Sequence, residues 1–98
     1  MTNSVLAVIR LHVGKRNAIK GRQIAAQLGI EEAEVREAVN TARCSGEPIA
    51  SDVRVGYFMA TTPEELDHTI GSFRSRINAM TAAYFALRTA RAQLRRAA

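Results

Sequence analysis

The reactive side chains of this chain fall into blocks of charge rather than into catalytic constellations. His12 and His68 are far apart in sequence and lack the spacing of a metal site. Cys44 is the single cysteine, so no intrachain disulfide can form and no thiolate zinc site is possible within one chain. Its expected place is the buried side of a helix. No serine stands in a nucleophile-elbow context, and Gly14-Lys15 lacks the remaining glycine and hydroxyl of a phosphate-binding loop. These residues predict a non-enzyme with no cofactor and no metal. What they can do is attract a polyanion, since Lys15, Arg16, Lys20 and Arg22 lie close together in a chain of net charge +5.

The distribution of charge says more than its sum. Residues 1–30 hold five cations and no acid, whereas all nine acids lie between Glu31 and Asp67. After His68 come six arginines and again no acid. Both ends are therefore basic and the middle is acidic. With 98 residues and 47% hydrophobic content, the chain is long enough for one packed domain and one appended element. The run Val5 to Ile9 is too short to span a membrane and has no basic start or cleavage site. No signal peptide is read, and the expected compartment is the cytoplasm.

The elements that must position these charges follow from periodicity and punctuation. Residues 4–13 predict a first helix capped by Thr2, Asn3 or Ser4, with Val5, Val8, Ile9 and His12 turned inward and Gly14 as its stop. Lys15 to Ile19 reads as a connector in which Asn17 to Ile19 could add a small strand. Gly21 to Gln27 predicts a second helix with Ile24, Ala25 and Leu28 inward and Gly29 as terminator. A third runs from Glu31 or Glu32 to Cys44, with Val35, Ala38, Val39 and Ala42 three and four apart on one face. Its early glutamates suit the positive end of the helix dipole. Pro48–Ser51 and Tyr57–Ala60 read as strands of a hairpin whose loop is slightly longer than the tightest turns.

Thr62-Pro63-Glu64-Glu65 is a strong helix start, with Thr62 as cap and Glu65 completing a capping box. From there Leu66, Ile70, Phe73, Ile77, Met80, Tyr84, Leu87, Arg91 and Leu94 alternate four and three apart, a heptad seam with one polar member. Such a helix spans about 50 Å at 1.5 Å per residue. The sixty residues before it make a body only about 25–30 Å across. The distal half should overhang and pair its stripe with a second copy, and an antiparallel pair or a small bundle fits as well as a parallel coiled coil. The alternative is a helix that folds back at Gly71, where glycine lowers helix propensity by about 1 kcal/mol, and covers the first helix.

Helix, basic connector, helix, Leu28-Gly29-Ile30 turn, helix, then a hairpin ending in Gly56-Tyr57-Phe58: this order resembles the winged helix-turn-helix superfamily. IAAQLGI followed by EEAEVREAVNTARCSGEPI, with GYFMA as the second wing strand, carries the resemblance over residues 4–60. It is similar to the small heads of the biotin-operon-repressor type and to compact winged-helix proteins common in prophages. The expected fold is mainly α with a small β-hairpin, residues 1–61 forming the winged helix-turn-helix and 62–98 a long C-terminal helix for dimerisation.

The resemblance implies double-stranded DNA as partner, a third helix in the major groove, a wing along the backbone, and phosphates near the start of the second helix. Carried over by position, the groove-facing residues would be Glu31, Glu32, Glu34, Arg36, Glu37 and Asn40, with Arg43 toward the backbone and Ser51, Asp52, Arg54 and Val55 on the wing. Here the chain departs from the pattern, because four glutamates repel phosphates. The contacts therefore shift toward Lys15, Arg16, Lys20, Gly21, Arg22, Arg36, Asn40, Arg43 and Arg54. Leu66, Ile70, Phe73, Ile77, Met80, Tyr84, Leu87 and Leu94 would form a homodimer seam. The alternative is a protein-binding module that uses the acidic third helix and no DNA.

Overall fold

The computed structural model describes residues 2–97. Helices α1 (Thr2–Arg10), α2 (Gly21–Leu28) and α3 (Glu32–Cys44) are followed by strands β1 (Ile49–Asp52) and β2 (Gly56–Met59) and by a 35-residue helix α4 (Pro63–Ala97). The architecture is mainly α with one antiparallel hairpin and a long C-terminal helix, as expected. Among the described residues no helix is long and apolar enough to cross a membrane.

α1 and α2 both pack on α3, whose buried residues are the four apolar ones predicted from spacing, Val35, Ala38, Val39 and Ala42. Val5, Leu6 and Ile9 from α1, Ile24 and Ala25 from α2, Ile19 and Ile49 complete one core. Each fully buried valine or isoleucine contributes about 1.5–3 kcal/mol relative to exposure. Gly29 closes α2 at φ 66°, and the Gly29 and Ile30 amides both donate to the Ala25 carbonyl. That left-handed stop gives the short turn into α3.

α1 is shorter than its periodicity suggested. Among the described residues it runs from Thr2 to Arg10, so Thr2, Asn3 and Ser4 are all helical rather than caps. The chain leaves the helix because β2 offers better partners. The Met59 amide donates to the His12 carbonyl, and Gly14 N–H donates to the Met59 carbonyl. His12 is thus not a helix-face residue; its Nδ1 lies 2.7 Å from the Asn17 carbonyl oxygen. In the connector, Lys15–Asn17 is a single 3₁₀ turn, and only Ile19 pairs with β2, exchanging both backbone hydrogen bonds with Tyr57.

β1 and β2 pair from Ile49↔Met59 to Asp52↔Gly56. The loop turns on the Asp52 carbonyl accepting from Val55 N–H at 3.1 Å, while Asp52 Oδ1 accepts from Arg54 N–H at 2.8 Å. Asp52 therefore builds its own turn with both backbone and side chain. Gly56 follows at φ 106°, and a Cβ there would lie 2.2 Å from the Ile19 carbonyl oxygen.

α4 runs unbroken through Gly71, so the fold-back alternative is excluded: the helix does not return to cover α1. Its first turns dock on β1 through the buried Thr69 and the half-buried Leu66 and Phe73. From Arg74 to Ala97 every residue is exposed, and the molecule is drawn out to 57 Å. Cys44 is also exposed, not buried as expected, because it lies beyond Ala42 on the solvent side of the last turn of α3.

Candidate nucleic-acid interface

Three elements meet around one open cleft of about 190 Å³, lined by Lys20 and Gly21 at the start of α2, Glu32 and Arg36 of α3, and Asp52, Val53, Gly56 and Tyr57 of the hairpin. Lys20 stands in extended conformation just ahead of α2, with its amide donating to Gln23 Oε1 at 3.0 Å. The remaining amides of a first helical turn face outward, with positive potential from the dipole. A lysine there opposes that dipole and has no local electrostatic benefit. Gly21 sits against Tyr57, whose ring a Cβ at that position would approach to 3.3 Å.

The four glutamates of α3 do not form one patch. Glu31 is the extended residue before the helix, and its amide donates to Glu34 Oε2 at 3.0 Å. Glu34 and Glu37 lie with Thr41 beside Thr2 at the start of α1. Their charge there complements the positive end of the α1 dipole. Glu34 is half-buried on that side, which removes it from the groove-facing set that the resemblance implied. Only Glu32 shares the cleft with Lys20 and Arg36. Asn40 is exposed two turns beyond Glu32.

Arg43 differs most from its expected role. Its Nε donates to the Ile49 carbonyl at 2.9 Å and its Nη2 to Ser51 Oγ at 3.1 Å, while its guanidinium faces the Phe73 ring at 5.3 Å. Burial pushes its pKa down, with Arg76 nearby acting in the same direction and Tyr57 opposing it. A guanidinium stays charged even so. Arg43 clamps α3, β1 and α4 together and is not free for phosphate.

Asp52 is the centre that sequence reasoning missed. It is buried at 7% exposure, yet its carboxylate gathers basic side chains from three elements. Lys15 Nζ lies 3.6 Å away, Arg54 Nε 3.8 Å and His68 Nε2 3.7 Å. The Arg54 N–H holds its pKa below the usual carboxylate range; burial opposes this, and the charges of Lys15, Arg54 and His68 add to it. The signal was an aspartate four residues before a glycine in a turn, but nothing in the spacing showed that it would be buried. Lys15 and Arg54 are therefore tied to a carboxylate. Among the described residues Arg16, Lys20, Arg22 and Arg36 make no ion pair.

No family model, no curated protein and no solved structure matches this chain.

Proposed function

We propose that the chain is a winged helix-turn-helix protein that binds double-stranded DNA as a homodimer, a transcriptional regulator or a phage-type DNA accessory factor. The observation that carries this reading is the meeting of Lys20-Gly21, Arg36 and the hairpin at one cleft. A phosphate at the start of α2 would relieve the mismatch between Lys20 and the helix dipole. Arg36 and Asn40 on the exposed side of α3 are the residues suited to base edges. Arg16 and Arg22 supply backbone charge, and Lys15 and Arg54 can join them by sharing Asp52.

The acidic third helix as a protein-binding surface has less behind it. Glu34 is engaged in capping and Glu37 faces the α1 side, so the acids offer no continuous patch. Homodimerisation would cover the apolar stripe of α4, which is long, exposed and rimmed by arginines, a combination that marks an interface. The test is selection from a random duplex pool followed by salt titration of the winning sequence. Binding that weakens steeply with salt is expected; no measurable affinity at low salt would overturn the reading.

A further inference from the structure

Past Asp67, α4 carries six arginines, Arg74, Arg76, Arg88, Arg91, Arg95 and Arg96, with no lysine and no acidic side chain. All six are exposed, and among the described residues none makes an ion pair. The face docked on β1 ends at Phe73, whose ring also holds Arg76 at 4.4 Å. Arg88 to Arg96 lie about 20–35 Å further along at 1.5 Å per residue. They are clear of the head.

Arg88, Arg91 and Arg95 are three and four residues apart, so they form one row along the helix. Like charges at that spacing repel and weaken a helix. The negative end of the helix dipole offsets this only in the last turn, which holds Arg95 and Arg96. Arg88 and Arg91 lie before that turn, and Asp67, the nearest acidic side chain on α4, is about 30 Å back from Arg88. The row is uncompensated within the chain. A polyanion laid along it would remove the repulsion.

The side chains suit phosphate in particular. A guanidinium presents a planar fork that matches two phosphate oxygens, whereas a lysine offers only a point charge. The Arg88 guanidinium is steadied over the Tyr84 ring at 5.7 Å, and Arg88 and Arg91 line an open groove of about 200 Å³ with Tyr84 and Leu87. A lipid surface fits less well. A helix lying in that interface keeps charge off its apolar face, but here Arg91 falls in the apolar row between Leu87 and Leu94. Arg88 and Arg95 each follow a seam position, so pairing of the stripe with a second copy leaves them at its edge.

We infer that Arg88 and Arg95, with Arg91 between them, form a second DNA surface that holds backbone phosphates of a duplex without reading its sequence. The inference rests on the DNA reading above and adds a contact outside the cleft. α4 then serves as a basic arm as well as a seam.

The full chain with Arg88→Gln and Arg95→Gln is compared with the unaltered chain on a short duplex of unselected sequence, by fluorescence anisotropy across a salt series. Glutamine keeps helix propensity and Arg91 stays in place, so helical circular dichroism and sedimentation should not change. Affinity at low salt is expected to fall at least about tenfold, and the salt slope by roughly 2, about 0.9 for each phosphate given up by one chain. Equal affinity and slope would overturn the inference and leave the DNA reading in place. Loss in this variant with none in Lys20→Ala, Arg22→Ala would uphold the inference and remove the cleft from binding. No duplex binding by the unaltered chain would overturn both. Capture of the unaltered chain, but not the glutamine variant, by phosphatidylserine vesicles with no duplex bound would assign the row to lipid and also overturn the inference.

Discussion

Thr69 Oγ1 accepts the Ser51 N–H at 3.0 Å and lies 3.2 Å from the Ser51 carbonyl oxygen, to which it donates. One hydroxyl on α4 thus stands in for a strand neighbour on the free edge of β1. Thr69→Val keeps the shape and removes both bonds, leaving the Ser51 backbone groups unsatisfied in a part-buried place. A loss of about 1–3 kcal/mol is expected from urea unfolding. An unchanged midpoint would mean that water replaces the hydroxyl at no cost.

Asp52 should make stability depend on acid. Its folded pKa is depressed, so it contributes stability that is fully present above the unfolded value of about 3.9 and is lost as pH falls through the folded value. Urea midpoints measured downward from pH 6 should hold until the ordinary carboxylate range and then fall. Asp52→Asn keeps an acceptor for Arg54 N–H but no charge, and it should flatten that part of the profile.

Gly56→Ala should be severe. The residue has φ 106°, and a Cβ would run into the backbone of Ile19 and Lys20. Strain alone is of order 1–3 kcal/mol, and the clash adds to it by prising Ile19 from β2. The expected result is a marked fall in melting temperature with loss of the Ile19–Tyr57 pairing, read by amide exchange at those two residues.

On the DNA reading, Lys20→Ala with Arg22→Ala should weaken all duplex sequences alike and lower the salt slope by roughly 2, about 0.9 for each phosphate no longer neutralised. Arg36→Ala should instead flatten the preference among sequences and move the slope less. Equal effects of the two changes on a selected and a scrambled duplex would remove α3 from sequence readout.

Ile77→Glu with Leu87→Glu should give a monomer by sedimentation with no loss of helical circular dichroism from the head. Both residues are more than half exposed, so a changed head would argue against the division at α4.

Much of this architecture is legible in short-range pattern. The apolar spacing in α3, the Gly29 turn, the hairpin around Gly56 and the capped start of α4 are each decided within a few residues. Local physics is enough there, since a helix face, a left-handed stop and a tight turn need no distant partner. Helix continuity through Gly71 is local too: a single glycine weakens a helix but does not break it.

What was not legible depends on residues far apart in the chain. The end of α1 at Arg10 is decided by β2, which takes the His12 carbonyl and the Gly14 amide for itself. The burial of Asp52 and the engagement of Arg43 arise where α3, β1, the connector and α4 meet, and charge type alone cannot tell a free cation from a clamped one. Likewise the glutamates of α3 looked like one acidic face until the position of α1 divided them. The sequence by itself determined which segments are helix, turn and hairpin, because hydrophobic period and backbone freedom are local. Only the tertiary structure decided which charges remain available, because pairing and burial depend on what the folded chain brings alongside them. Lys20, Arg22 and Arg36 are left facing outward on those terms.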